Sequence, residues 1–149
     1  MELSKIDLKL IGWFRRFFQP TARVALFVIF FWFGALKLFD LSPAGPLGIA
    51  LVAQTFGVDH FNFLYKILAV YECLIGVLFL FPKLTRLVIP LLLLHMIIVS
   101  APLLIVPELA WTGYLVPTLE GQYIIKNLAI VALGIGIAAQ TNPLGKNTN

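Results

Sequence analysis

Asn62–Phe81 reads NFLYKILAVYECLIGVLFLF, Pro82-Lys83 follows, and Leu84–Val106 reads LTRLVIPLLLLHMIIVSAPLLIV. This stretch decides the fold. Each apolar run holds about 20 residues, enough helix at ~1.5 Å per residue to cross a ~30 Å hydrocarbon layer. Pro82 closes the first run, and the tight link at Lys83–Arg86 folds the second back beside it as an antiparallel hairpin. Pro90 and Pro102 predict kinks in the second run.

Two further runs flank the hairpin, Thr21–Phe39 and Tyr123–Gln140. The chain of 149 residues is 60% hydrophobic and 12% charged, with a mean hydropathy of +0.97. Soluble domains are nearer half apolar and a quarter charged. The sequence therefore predicts an all-α bundle of four transmembrane helices in a single membrane domain, residues 20–141. Four crossings leave no room within these residues for a soluble catalytic domain.

The sequence pI of about 9.4 does not point to nucleic acid, because the basic residues follow membrane orientation instead. Lys5, Lys9, Arg15 and Arg16 precede the first run and Arg23 lies in its first turn, Lys83 and Arg86 lie at the junction of the second and third, and Lys146 lies in the tail 142–149. Four crossings put all of these on one side. The opposite loops carry Asp40, Asp59, His60, Glu108 and Glu120. The positive-inside rule then assigns both termini to the cytoplasm. Cys73 is the only cysteine, so no intramolecular disulfide and no Cys/His metal spacing is available. The N-terminus lacks the pattern of a secretory signal.

Residues 1–19 read as an amphipathic helix lying in the headgroup layer. Leu3, Ile6, Leu10, Phe14 and Phe17 share one face, and Lys5, Lys9 and Arg16 lie largely elsewhere. Pro20 is read as the start of the first span. After Asp40, Pro43, Gly45, Pro46 and Gly48 break regular structure, and Leu47–Phe56 is read as a short surface helix. Trp111, Tyr114 and Tyr123 fit an aromatic belt.

Small residues predict how the helices meet, since close backbone approach drives association in lipid. Tyr65, Ala69, Glu72 and Gly76 share a face of the second span. Ala129, Ala132, Gly136 and Ala139 form a stripe on the fourth, continued outward by Lys126. Glu72 and Lys126 are thereby expected to face the bundle interior.

A carboxylate near the midplane costs several kcal/mol unless it is paired, protonated or wetted. Glu72 lies about 15 Å from the outer end of its span by helix rise. His95, entered from the opposite side, has similar depth, so the two can share a proton. The plainer reading is a buried hydrogen bond that fixes packing. Lys37, Lys66 and Lys126 sit near the outer ends of their spans. Snorkelling to headgroups accounts for Lys66. Lys37, behind Gly34, and Lys126, behind Gln122 and beside Asn127, form a positive outer pocket if they turn inward. Such a pocket suits a small anion or the carbonyl oxygens of a quinone. Cys73 reads as a small apolar side chain. The depth mismatch between His60 and His95 argues against bis-histidine haem ligation.

Three segments resemble the DoxX-like family of small membrane proteins. Phe33-Gly34-Ala35-Leu36-Lys37-Leu38 is similar to that family's FG-x-x-K element. Glu72-Cys73-Leu74-Ile75-Gly76, with Leu78 and Thr85-Arg86, resembles its second-span pattern, and Glu120–Leu128 resembles the start of its last span. The similarity covers most of residues 21–140. A related group of bacterial inner-membrane proteins shares the WFGALK type of first span. The resemblance implies a four-helix bundle in a bacterial or archaeal inner membrane and an association with redox chemistry. The family takes its name from a subunit of a thiosulfate:quinone oxidoreductase, and other members are linked to oxidative-stress complexes. The chain departs from a complete enzyme in having no sulfur-relay cysteine motif and no cofactor signature, so a partner protein would supply the catalytic half.

Three functions follow as expectations. The first is a membrane subunit of a redox or stress-defence system with no intrinsic cofactor. In it Lys37, Gln122, Lys126 and Asn127 bind a quinone or small anion in an outward-facing pocket, and Glu72 and His95 move the proton. The second is a proton-linked transporter or channel, which needs homo-oligomerisation to provide a polar path. The third is a scaffold that assembles a partner through residues 1–19.

Overall fold

A computed structural model of the chain describes residues 2–141. The tail 142–149, with Lys146, lies outside the described residues. Four helical stretches are long and apolar enough to cross a membrane: Leu3–Leu38, Val58–Phe79, Pro82–Ile105 and Leu119–Ala139.

Helix α1 runs unbroken from Glu2 to Leu38 and contains Pro20 in its interior. The helix expected at 1–19 is therefore continuous with the first span and not a separate element. Proline there removes only one donor, for the carbonyl four residues back, and apolar helices tolerate such a loss where nearby groups satisfy the freed carbonyl. Residues 3–17 are exposed throughout, so the packed part of α1 begins near Phe18. Helix α2, Gly45–Thr55, is the expected short helix. A turn of 3-10 helix, Val58–His60, leads into α3, Phe61–Phe79. Another, Pro82–Leu84, forms the tight link to α4, Thr85–Ser100. Pro90 lies inside α4, and Pro102 opens a separate turn, α5, Pro102–Ile105.

The segment before the last span is more ordered than its composition suggests. It holds α6, Pro107–Ala110, and the antiparallel pair β1, Trp111–Gly113, and β2, Val116–Pro117. Trp111 Nε1 donates to the Leu103 carbonyl at 3.0 Å, tying the hairpin to α5. Thr118 caps α7, Leu119–Ala139, by accepting from the Gly121 N–H at 3.0 Å, and its hydroxyl donates to the Leu109 carbonyl at 2.7 Å.

The helices pair as α1 with α3 and α4 with α7, and α3 against α4 joins the pairs. Glycine notches set the first pair. A Cβ on Gly34 would lie 2.7 Å from the Ala69 carbonyl oxygen, and one on Gly76 would lie 2.8 Å from the Phe31 backbone nitrogen. The two backbones therefore touch, as association in lipid favours. The expected α3 face holds: Tyr65, Ala69, Glu72 and Gly76 are all buried. Leu26, Phe30, Ile75, Phe79, Val88, Leu92 and Ile137 fill the core.

Helix α7 is turned differently from the expectation. Its inward face is Ile124, Gly134 and Ile137, with Val131 packed beside them. Of the expected stripe, Ala129, Ala132 and Ala139 are exposed, and only Gly136 is half-buried, against Phe18 of α1. The reason is steric: branched side chains fill the space between α4 and α7, and the notch needed for Leu92 falls at Gly134.

Candidate functional site

Three ionisable side chains from three helices meet inside the bundle. Lys37 stands in the last turn of α1, Glu72 near the middle of α3 and His95 on α4. Their exposures are 8%, 4% and 3%, so each is more than nine-tenths buried. Gly34 is one turn before Lys37 on the same face, and its notch against Ala69 and Cys73 brings α1 close enough for Lys37 to reach across. Lys37 Nζ donates to Glu72 Oε2 at 2.6 Å. His95 Nε2 lies 3.4 Å from the other carboxylate oxygen, Oε1, longer than an ordinary hydrogen bond. The expected proximity of Glu72 and His95 is thus present in the structure.

Aromatic rings hold the imidazole. Phe30 meets it edge-on at 5.4 Å, and the Tyr71 ring is 5.9 Å away. The Tyr71 hydroxyl donates to the Leu91 carbonyl at 2.8 Å, locking that ring against α4. Two buried polar atoms of this region have no hydrogen-bond partner, His95 Nδ1 and the Tyr65 hydroxyl. Buried nitrogens are rarely left so. With Lys37 and Glu72 as an ion pair, a neutral imidazole can offer Nε2–H to the carboxylate, which leaves Nδ1 as an open acceptor.

Lys66 occupies a different place. Its ammonium donates to the Leu38 carbonyl at 2.6 Å and to Asp40 Oδ1 at 2.7 Å. It caps the C-terminus of α1, where a cation meets the negative end of the helix dipole.

The broader outward pocket is not assembled. Gln122 and Lys126 are exposed, and the Lys126 ammonium lies 4.9 Å from the Tyr123 ring centroid. At ~100° per residue both sit about 200° around α7 from inward-facing Ile124. Asn127 is half-buried and lines a cleft of about 160 Å³ between α4 and α7, with Met96 and Ser100. Met96 follows His95 in sequence, but the imidazole faces α1 and α3 while Met96 faces the cleft.

The buried charged residue that sequence reasoning missed is Arg23. Read as a topology signal, it is only 6% exposed. Its spacing to Leu26 and Phe30 was the available clue, since all three fall on the buried face of α1. Cys73 is half-buried, its thiol 3.7 Å from the Phe31 carbonyl oxygen. Among the described residues, no group of three His, Cys, Asp or Glu side chains is placed to hold a metal ion.

Comparison of the chain with family models, with curated proteins and with solved structures finds no match.

Proposed function

We propose that the protein is a DoxX-like integral membrane subunit of a redox or stress-defence system, and that Lys37, Glu72 and His95 form its proton-exchanging centre for a quinone-class ligand. The observation that carries this reading is the burial of all three groups around one carboxylate, with His95 Nδ1 unpartnered. Ionisable groups at such depth are costly and mark proton or substrate paths. Lys37 donates to Glu72 and fixes the carboxylate in place. The imidazole accepts a proton from a quinol hydroxyl, and the carboxylate stabilises the imidazolium that forms. Asn127 and Ser100 line an otherwise apolar cleft on the Met96 side of α4, which supplies an approach for a lipid-soluble head group but not its contact with the imidazole. The basic residues near Arg23 and the α3–α4 link favour the cytoplasm for that end of the bundle, in an inner membrane. A separate protein would exchange electrons with the bound ligand.

The test is titration of a short-chain quinone onto purified protein in nanodiscs, with Glu72→Gln, His95→Phe and Lys126→Met alongside. Saturable binding is expected for the parent and Lys126→Met, with at least tenfold weaker binding for the other two. No binding, or equal binding by all four, overturns the proposal. Proton-coupled solute flux in liposomes without an electron donor would favour the transporter instead.

A further inference from the structure

At the end of the bundle opposite α2, the structure holds an open polar cleft of about 320 Å³. Gln19, Arg23, Lys83, Thr85, Arg86 and Gln140 contribute to its walls. They come from α1, the α3–α4 link, α4 and the end of α7, so the cleft joins all the spans at one level.

Arg23 is its central group. Nε donates to Gln19 Oε1 at 3.2 Å, Nη1 to the Phe79 carbonyl at 3.2 Å and Nη2 to Thr85 Oγ1 at 2.6 Å. The Thr85 hydroxyl spends its own proton on the Pro82 carbonyl at 2.7 Å, which leaves its oxygen to accept from Arg23. Every one of these acceptors is neutral. The ion pairs among the described residues involve Lys37, Lys66 and His95, and none involves Arg23. A guanidinium has five N–H donors, and three are engaged here.

Among the described residues no carboxylate side chain pairs with Arg23. Asp7 lies on α1 about 18 Å before Gln19 at ~1.5 Å per residue, and Glu2 is further still. Residues 142–149 contain no acidic side chain. Lys83 and Arg86, both exposed, add positive charge to the lining. A buried guanidinium without an anion is costly in a low-dielectric setting.

Depth identifies where the anion comes from. About 20 residues of helix span the hydrocarbon layer, and twenty residues counted back from Leu38 end at Gln19. Arg23 is then one turn inside the boundary, and the cleft mouth is level with lipid phosphates. Basic pockets between helices at this level suit anionic head groups, and a forked guanidinium matches two phosphate oxygens. The geometry points to a phosphate-binding pocket, with Arg23 as its buried donor and Lys83 and Arg86 at its rim. It takes the head group of an anionic phospholipid or free inorganic phosphate.

The experiment uses the full chain in detergent micelles. Native mass spectrometry follows retention of phosphatidylglycerol against phosphatidylcholine. A parallel arm measures thermal stabilisation by inorganic phosphate against chloride at equal ionic strength. Phosphatidylglycerol should be retained selectively, about fivefold less for each cation removed from the pocket. The double variant Lys83→Gln/Arg86→Gln keeps the Arg23 contacts intact, so it remains informative if Arg23→Gln fails to fold. Lys5→Gln/Lys9→Gln removes equal charge outside the pocket and should have no effect. Selective phosphatidylglycerol retention assigns the lipid, whereas stabilisation by phosphate alone assigns the free ion. Equal retention of both lipids without a phosphate effect, or equal losses in the two double variants, overturns the site.

Discussion

Replacing Lys37 with Met probes the buried cluster most sharply. The substitution keeps the length and removes the charge, leaving Glu72 at 4% exposure with its nearest remaining partner an imidazole 3.4 Å away. Removing one member of a buried ion pair costs about 3–5 kcal/mol, because the other charge is left uncompensated. Glu72 can escape part of this by taking up a proton, and His95 at 3.4 Å offers only partial relief, so a loss of about 3 kcal/mol, the low end of that range, is expected. Lys37→Met/Glu72→Leu removes both charges and should recover most of it, since apolar replacements of buried pairs are often neutral. The assay is reversible unfolding in mixed micelles, read as a double-mutant cycle with Glu72→Leu. A Lys37→Met loss under about 1 kcal/mol, the value of a solvated pair, or simple additivity, would refute the reasoning.

Three further outcomes follow from the packing. Gly34→Ala should cost about 1–3 kcal/mol, because its Cβ would meet backbone 2.7 Å away at Ala69; thermal unfolding checks it, and the Lys37–Glu72 coupling should shrink in the same variant. Gly134→Leu should destabilise by a similar amount through collision with Leu92, while Ala132→Leu on the exposed side should stay within about 0.5 kcal/mol; the pair measures the rotation of α7. Lys66→Met should lose about 0.5–1 kcal/mol, the value of a cation at a helix C-terminus, read as faster amide exchange at the end of α1.

The legible and illegible parts of the sequence divide along a physical line. Lipid is as apolar as a protein core, so hydropathy marks a span without marking which side of it packs. All four spans were readable for that reason, and α2 was readable from its flanking prolines and glycines. The packing face of α3 was readable because Glu72 cannot face acyl chains and Gly76 and Ala69 share its side. Helix α7 has no such buried charge. Its alanine stripe looked like a contact surface, yet Ile124 and Ile137 fill the contact and the alanines are exposed. Lys126 was carried to the wrong side with that stripe. The continuity of α1 through Pro20 was hidden because a proline that starts a helix and one inside it look alike in sequence. The hairpin at Trp111–Pro117 is too short for a period of two to register.

The measurement closest to the central claim is the infrared difference spectrum of the protein with and without bound short-chain quinone, recorded for the parent and for Glu72→Gln. The expected result is a change in a carboxyl band on ligand addition in the parent that vanishes in the variant, together with imidazole changes from His95. A parent spectrum with no carboxyl or imidazole change, at a quinone concentration where binding is saturated, would show that the buried cluster only holds helices together.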